Sequence, residues 1–264
     1  MKWQDDIVKA QDFSLSDPYD EDGGEQIASI NSQVSWRITK DIDGIDNKNG
    51  VYIYLGSIGD SQEASYVTAS KSGEMMLNTT WSQYWYVFDT TVDITIDDKS
   101  KGKVTLFKDS PLTTAESTTI SSSISFGAGC FGDIPTANAS YGTSTSETLP
   151  DFALQNMSSH PEGILSHKYY AASLEGDPVH NVTDTPKAAP VQAYSNIPII
   201  SQGLWVADSS YKGVTTFTIT LNINLVAAHM NALKWSTQYS DYSVTQTFTI
   251  NWDDIEENVS SDEE

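Results

Sequence analysis

Apolar and polar positions alternate through most of this 264-residue chain, and a period of two is the pattern of a strand with one buried face. Val34, Trp36 and Ile38 alternate with Ser35, Arg37 and Thr39, which predicts a half-buried strand; Val51-Tyr52-Ile53-Tyr54-Leu55 follows as a more fully buried one. Between them, residues 41–50 supply the Asp-Gly and Asn-Gly steps of a hairpin turn. A longer alternation over 84–96 sets Tyr84, Tyr86, Phe88, Val92, Ile94 and Ile96 on one side, and 102–108 returns as its partner. Two further runs close the chain, one with Phe217, Ile219, Leu221, Ile223 and Leu225 on its inner face, the other with Val244, Phe248, Ile250 and Trp252. Long strands with one wet face predict a two-sheet antiparallel sandwich. No long segment carries helical spacing with caps, so the expected fold class is all-β.

One stretch departs from the rest. Residues 117–146 contain a single charge, Asp133, where the chain-wide 19% would give about six. Ile120, Ile124, Phe126, Ala128 and Cys130 fall on one face of a strand, with Ser121, Ser123, Ser125, Gly127 and Gly129 on the other. After the break Phe131-Gly132-Asp133-Ile134-Pro135-Thr136, a second arm places Ala137, Ala139, Tyr141 and Thr143 opposite Asn138, Ser140, Gly142 and Ser144. The pair reads as a hairpin. Amphipathic hairpins also cover the cores of soluble sandwiches. Here, however, the apolar faces are thin and the polar ones hold Ser, Gly and Asn in place of Lys or Glu, which suits a barrel-forming hairpin with arms of roughly 9–11 residues.

Charge narrows the partners. With 36 acidic residues against 14 basic, a net −22 and Arg37 as its one arginine, the chain would repel a phosphate backbone, so no nucleic-acid partner is expected. Cys130 is the only cysteine, so no internal disulfide supports the fold. Met1-Lys2-Trp3-Gln4-Asp5-Asp6 is not a signal peptide, so the expectation is either a cytosolic chain or one whose export signal was removed, as in a mature sequence behind a start methionine. Motifs of catalysis are missing. Gly127-Ala128-Gly129-Cys130-Phe131-Gly132 matches G-x-G-x-x-G, yet Asp133-Ile134-Pro135 cannot readily open the helix that a dinucleotide site needs. His160, His167, His180 and His229 lack zinc spacing, and the 41–50 turn lacks the closing Glu of a calcium loop. No cofactor, metal or enzymatic activity is expected.

The order of these parts resembles the leukocidin and α-hemolysin family of β-barrel pore-forming toxins. The charge-poor hairpin is followed by Leu149-Pro150-Asp151-Phe152, similar to the Pro-Asp-Phe that closes the stem in that family. Near the end an alternating strand leads to Lys234-Trp235-Ser236-Thr237 and then to Phe248-Thr249-Ile250-Asn251-Trp252-Asp253, like the family's closing strand, while Trp81 precedes a long aromatic strand as in the family. The resemblance implies a secreted, soluble monomer that assembles on a target membrane into a homo-oligomeric ring, heptameric or octameric. Each copy gives one hairpin to a shared transmembrane β-barrel, with lysis as the result. It divides the chain into a mobile arm (1–26), a β-sandwich cap (27–116 and 207–255), a stem hairpin (117–149), a rim (150–206) and a disordered acidic tail (256–264).

In that barrel Ser121, Ser123, Ser125, Gly127, Asn138, Ser140 and Ser144 would line water, with Asp133 as a carboxylate ring at the far mouth, which favours cations. Ile120, Ile124, Phe126, Ala128, Cys130, Ala139 and Tyr141 would face lipid, and Lys168, Tyr169 and Tyr170 would bind headgroups at the rim. The competing readings are a soluble sandwich that binds glycans through exposed aromatic side chains, in the manner of a lectin or adhesin, and a surface-layer subunit.

Overall fold

The computed structural model describes residues 7–21, 25–40, 47–55, 66–69, 80–82, 86–112, 118–122, 125–126, 129–130, 145–149, 152–171, 197–231 and 234–253. All of its regular elements there are strands. In chain order they are β1 (Ile7–Glu21), β2 (Glu25–Thr39), β3 (Lys48–Leu55), β4 (Tyr66–Ala69), β5 (Thr80–Ser82), β6 (Tyr86–Ile96), β7 (Val104–Ser110), β8 (Thr118–Ser122) and β9 (Ser125–Phe126). Then come β10 (Gly129–Cys130), β11 (Thr145–Leu149), β12 (Phe152–Asn156), β13 (Leu165–Ala171), β14 (Ile197–Pro198), β15 (Ser201–Asp208), β16 (Val214–Asn231) and β17 (Lys234–Asn251).

The expected sandwich is present. In the first sheet β1 runs along one flank of β2, while β3 and β4 lie end to end along the other. β15 and β14 follow outside β3 and β4, and β7 closes the sheet against β15. The second sheet has the order β12-β13-β6-β16-β17, with β5 beside the far end of β16. Neighbours are antiparallel throughout, so alternate side chains of each sheet meet in one core.

The alternation read from sequence is the alternation of burial: Phe217, Ile219, Leu221, Ile223 and Leu225 are buried, and the even positions between them are half-exposed. Rings tie the two sheets together. Trp36 stacks on Phe248 at 5.5 Å, Phe248 stacks on Phe217 at 5.3 Å, and Trp205 meets Phe217 edge-on at 5.5 Å, arrangements that the aromatic quadrupole favours. The buried indoles need acceptors: Trp205 Nε1 donates to Gly163 O at 2.8 Å and Trp252 Nε1 to Thr215 Oγ1 at 2.9 Å. Gly203 makes room for the Trp205 ring, since a Cβ there would sit 2.7 Å from it.

Two expectations need correction. The acidic N-terminal segment, read as a mobile arm over 1–26, forms strand β1 paired with β2 from Ile7↔Thr39 to Glu21↔Glu25. An edge strand bonds on one flank only, and for that reason tolerates Pro18 and a run of carboxylates. The segment 150–206, read as a rim, holds the cap strands β12, β13 and β15. β15 escaped the alternation rule because both of its faces are covered: every residue from Ser201 to Ala207 is buried. Residues 172–196 and the 256–264 tail lie outside the described residues.

Candidate functional site: the stem and its root

Two short ladders belong to neither sheet. β8 pairs with β11, from Ser122↔Thr145 to Thr118↔Leu149, and β9 pairs with β10 through Phe126↔Gly129 and Ser125↔Cys130. The first lies beside β14 at the margin of the first sheet. Ser122 and Thr145 are equally far along the chain from the Asp133-Ile134 bond, as are Thr118 and Leu149. The ladder thus has the register of a hairpin that turns within 131–136, where the sequence places the break. The second ladder differs from the expectation: 120–130 is not one continuous arm, because Ser125 and Phe126 fold back on Gly129 and Cys130 across residues 127–128.

Of the residues assigned to the barrel, Ile120 stands opposite Glu147 and Ser121 opposite Ser146, and Ser125, Phe126 and Cys130 take part in the β9–β10 pair. Ser123, Ile124, Gly127, Ala128, Asp133, Asn138, Ala139, Ser140, Tyr141 and Ser144 lie outside the described residues. The headgroup assignment does not fit where the structure puts its members. β13 has a neighbour on each flank, and Tyr169 points into the core, fully buried, with its hydroxyl donating to Ile200 O. Lys168 points outward but is ion-paired to Asp89 at 2.7 Å, and Tyr170 is half-exposed in the same mid-sheet strand.

Where the chain enters the stem region, Asp109 gathers a polar cluster that single-residue reading of the histidines did not find. Its Oδ2 accepts from Asn156 Nδ2 at 2.6 Å, Ser158 Oγ at 2.7 Å and His167 Nε2 at 3.2 Å, and its Oδ1 from His160 Nε2 at 2.8 Å. Burial pushes the Asp109 carboxyl up, but the hydrogen bonds from His167, Ser158, Asn156 and His160 outweigh it and hold the group well below the usual carboxylate range. With the carboxylate ionised, an Nε2 proton on each imidazole makes all four contacts attractive.

The cluster spans both sheets. Asp109 comes from β7, Asn156 and His167 from β12 and β13, and His167 Nδ1 reaches Ser201 Oγ of β15 at 2.9 Å. Asn156 Nδ2 also donates to Pro111 O at 3.2 Å, so one side chain following the stem grips the last turn of chain preceding it. Asp109, His167 and Ser201 contain the ingredients of a hydrolytic triad in the reverse order. The acid meets Nε2 and the serine Nδ1, and Ser201 is fully buried, so its hydroxyl is presented to no substrate. Among the described residues no group of three His, Cys, Asp or Glu is arranged to hold a metal. Mechanically, the cluster pins together the two strands that frame the stem.

No protein-family model matches this chain, and no curated protein matches it in sequence. Solved structures do match its fold. Clostridium perfringens delta-toxin is similar over 94% of both chains, with a TM-score of 0.51 and 14% identity. A structure described as a pore forming protein is similar over 94% of this chain and 96% of that one, with a TM-score of 0.54 and 11% identity. The family resemblance drawn from the order of parts holds at the level of fold.

Proposed function

We propose that this chain, with the fold it shares with delta-toxin and a pore forming protein, is a pore-forming toxin of the leukocidin and α-hemolysin type. Copies assemble into a ring on a target membrane, and each contributes residues 117–149 to one β-barrel. The observation that carries this reading is that, among the described residues, the strands of the charge-poor ribbon stand outside both sheets: β8 and β11 pair with each other, and β9 with β10, each as a two-stranded sheet. Ribbon arms built in as central strands of a sheet could not leave without unfolding it.

Physics couples assembly to insertion. A lone hairpin in hydrocarbon exposes the backbone groups of two edges, at several kcal/mol for each unpaired group, and closing the ring pairs them all. The membrane-facing end is the one from which the stem leaves. There β12 begins beside the end of β13, level with Asn224 of β16, and the β16–β17 hairpin runs on for roughly 20 Å to Asn231 at about 3.3 Å per residue. On that extension Trp81, Met230 and Trp235 share one cross-strand row, a composition suited to the membrane interface. Along the barrel, Ser123, Ser125, Gly127, Asn138, Ser140 and Ser144 line water and Asp133 rings the far mouth, which gives a preference for cations.

The test is dye-loaded liposomes. The purified protein should release dye and leave an SDS-resistant oligomer ladder, and planar-bilayer reversal potentials should favour cations over chloride. Intact vesicles with no ladder, together with binding on a glycan array, would replace this reading with the lectin one.

A further inference from the structure

The register of β8–β11 contains more than a local pairing. Continued toward the 131–136 turn, it would set Ile124 opposite Thr143, Phe126 opposite Tyr141, Ala128 opposite Ala139 and Cys130 opposite Ala137. On the alternate positions it would set Ser123 opposite Ser144, Ser125 opposite Gly142, Gly127 opposite Ser140 and Gly129 opposite Asn138. Directly opposed residues in an antiparallel pair share a face. Beyond the base, where Ile120 stands opposite Glu147, the apolar set read from periodicity therefore meets only the apolar set and Thr143, and the polar set meets only small polar residues. A slip of one position would put Phe126 opposite Ser140 or Gly142 and mix the faces along the whole hairpin. Two independent facts, the periodicity of each arm and the pairing at their base, agree on one register.

The β9–β10 pair contradicts that register. It holds Ser125 directly opposite Cys130, on the same face of a short ladder, whereas in a continuous arm the two lie on opposite faces. Both arrangements cannot exist at once.

We infer that the root of the stem, the β8–β11 ladder between the strands that carry Asp109 and Asn156 in the chain, is already assembled in the final register and persists into the pore, while the β9–β10 fold-back is the brake that must open before the hairpin extends. This rests on the pore-forming reading and says which bonds the insertion step breaks and which it keeps. Asn156 and Asp109 act as positioning residues: they hold the start and finish of the ribbon at a fixed separation, so that each copy offers its hairpin to the ring in the same register. A ring of many hairpins closes only if all share one register. The fold-back has the further effect of keeping the apolar arm from presenting one long open edge in solution, where it would pair with other chains.

The native Cys130 makes the test a single substitution. In Ser125→Cys the two thiols lie at directly opposed positions, a separation that a disulfide spans. Oxidised Ser125→Cys should bind vesicles and lose dye release, and a reductant should restore it. The companion, Ile120→Cys with Glu147→Cys in an apolar Cys130→Ala background, locks the root ladder and should release dye equally whether oxidised or reduced. Full leakage from oxidised Ser125→Cys would overturn the brake. Leakage from the root-locked protein only after reduction would overturn the preassembled root. If the unmodified protein forms neither a ladder nor a leak, the pore-forming reading fails first, a result distinct from both. Hydrogen exchange gives a readout free of leakage: on adding vesicles, amides of 104–110 and 152–156 should stay protected while those of 125–130 change, and exposure of the former set would also overturn the clamp.

Discussion

The sandwich and the stem ribbon are both antiparallel β-structure, yet they are held by different means. In the sandwich each central strand bonds on two flanks and buries alternate side chains against the facing sheet, so that Trp36, Phe248, Phe217 and Trp205 form a continuous series of rings. Among the described residues the ribbon has the two ladders β8–β11 and β9–β10, each a two-stranded sheet of its own. Two-stranded ribbons are marginal in water. On the proposed function, the difference says where this protein would store a second conformation: in the part whose stability it does not need. It also leads to opposite responses to mutation, with substitutions in the sandwich changing stability and those in the ribbon changing activity.

The largest effect is expected at the centre of the ring series. Trp205→Ala removes a fully buried indole, its bond to Gly163 O and its contact with Phe217, and should cost about 3–5 kcal/mol. Urea unfolding followed by circular dichroism measures this, and a loss under about 1 kcal/mol would show that the core is not organised around these rings.

An intermediate effect belongs to the clamp, where the two regions join. Asp109→Asn keeps the volume but turns one acceptor into a donor facing other donors, a cost of about 1–3 kcal/mol at neutral pH. The pH dependence has a definite sign. Because the folded-state value is depressed, the carboxylate's contribution is fully present above the ordinary carboxylate value of about 4 and is lost as pH falls below it toward the lowered one. The stability gap between wild type and Asp109→Asn should therefore narrow as pH falls below about 4. A gap that failed to narrow below about pH 4 would mean that the hydrogen bonds to Asp109 do not favour its ionised form.

What could be read from the sequence follows the same division. The long closing hairpin was legible because one face is wet, so Phe217 to Leu225 announce themselves by alternation. β15 was not, since 201–207 are covered on both faces, and β1 was not, since an edge strand can be acidic and contain Pro18. The stem's turn was legible in Gly132 and Pro135, and the β8–β11 register agrees with it. The β9–β10 fold-back leaves no mark in periodicity, because it opposes Ser125 to Cys130 and Phe126 to Gly129, pairs that the alternation of a continuous arm sets on opposite faces. The Asp109 cluster was hidden for another reason: its members lie at 109, 156–167 and 201, and only the packing of the two sheets brings them within bonding distance.

The smallest stability effect should accompany one of the clearest activity effects. Phe126 belongs to the two-residue pair β9–β10 and to no sheet of the sandwich, so Phe126→Ser should change unfolding free energy by no more than about 0.5 kcal/mol. In the proposed barrel the same ring would face lipid, where losing it would forfeit about 1.5–3 kcal/mol per copy, a penalty that every copy in the ring would repeat. Dye release by Phe126→Ser should then fall severely at a protein concentration that still coats vesicles, with a thermal midpoint matching wild type. Unchanged leakage would remove Phe126 from the lipid face and with it the register that opposes Phe126 to Tyr141. A large drop in midpoint would instead place the ring in the resting core, and would mean that the ribbon is more tightly bound to the sandwich than its two short ladders imply.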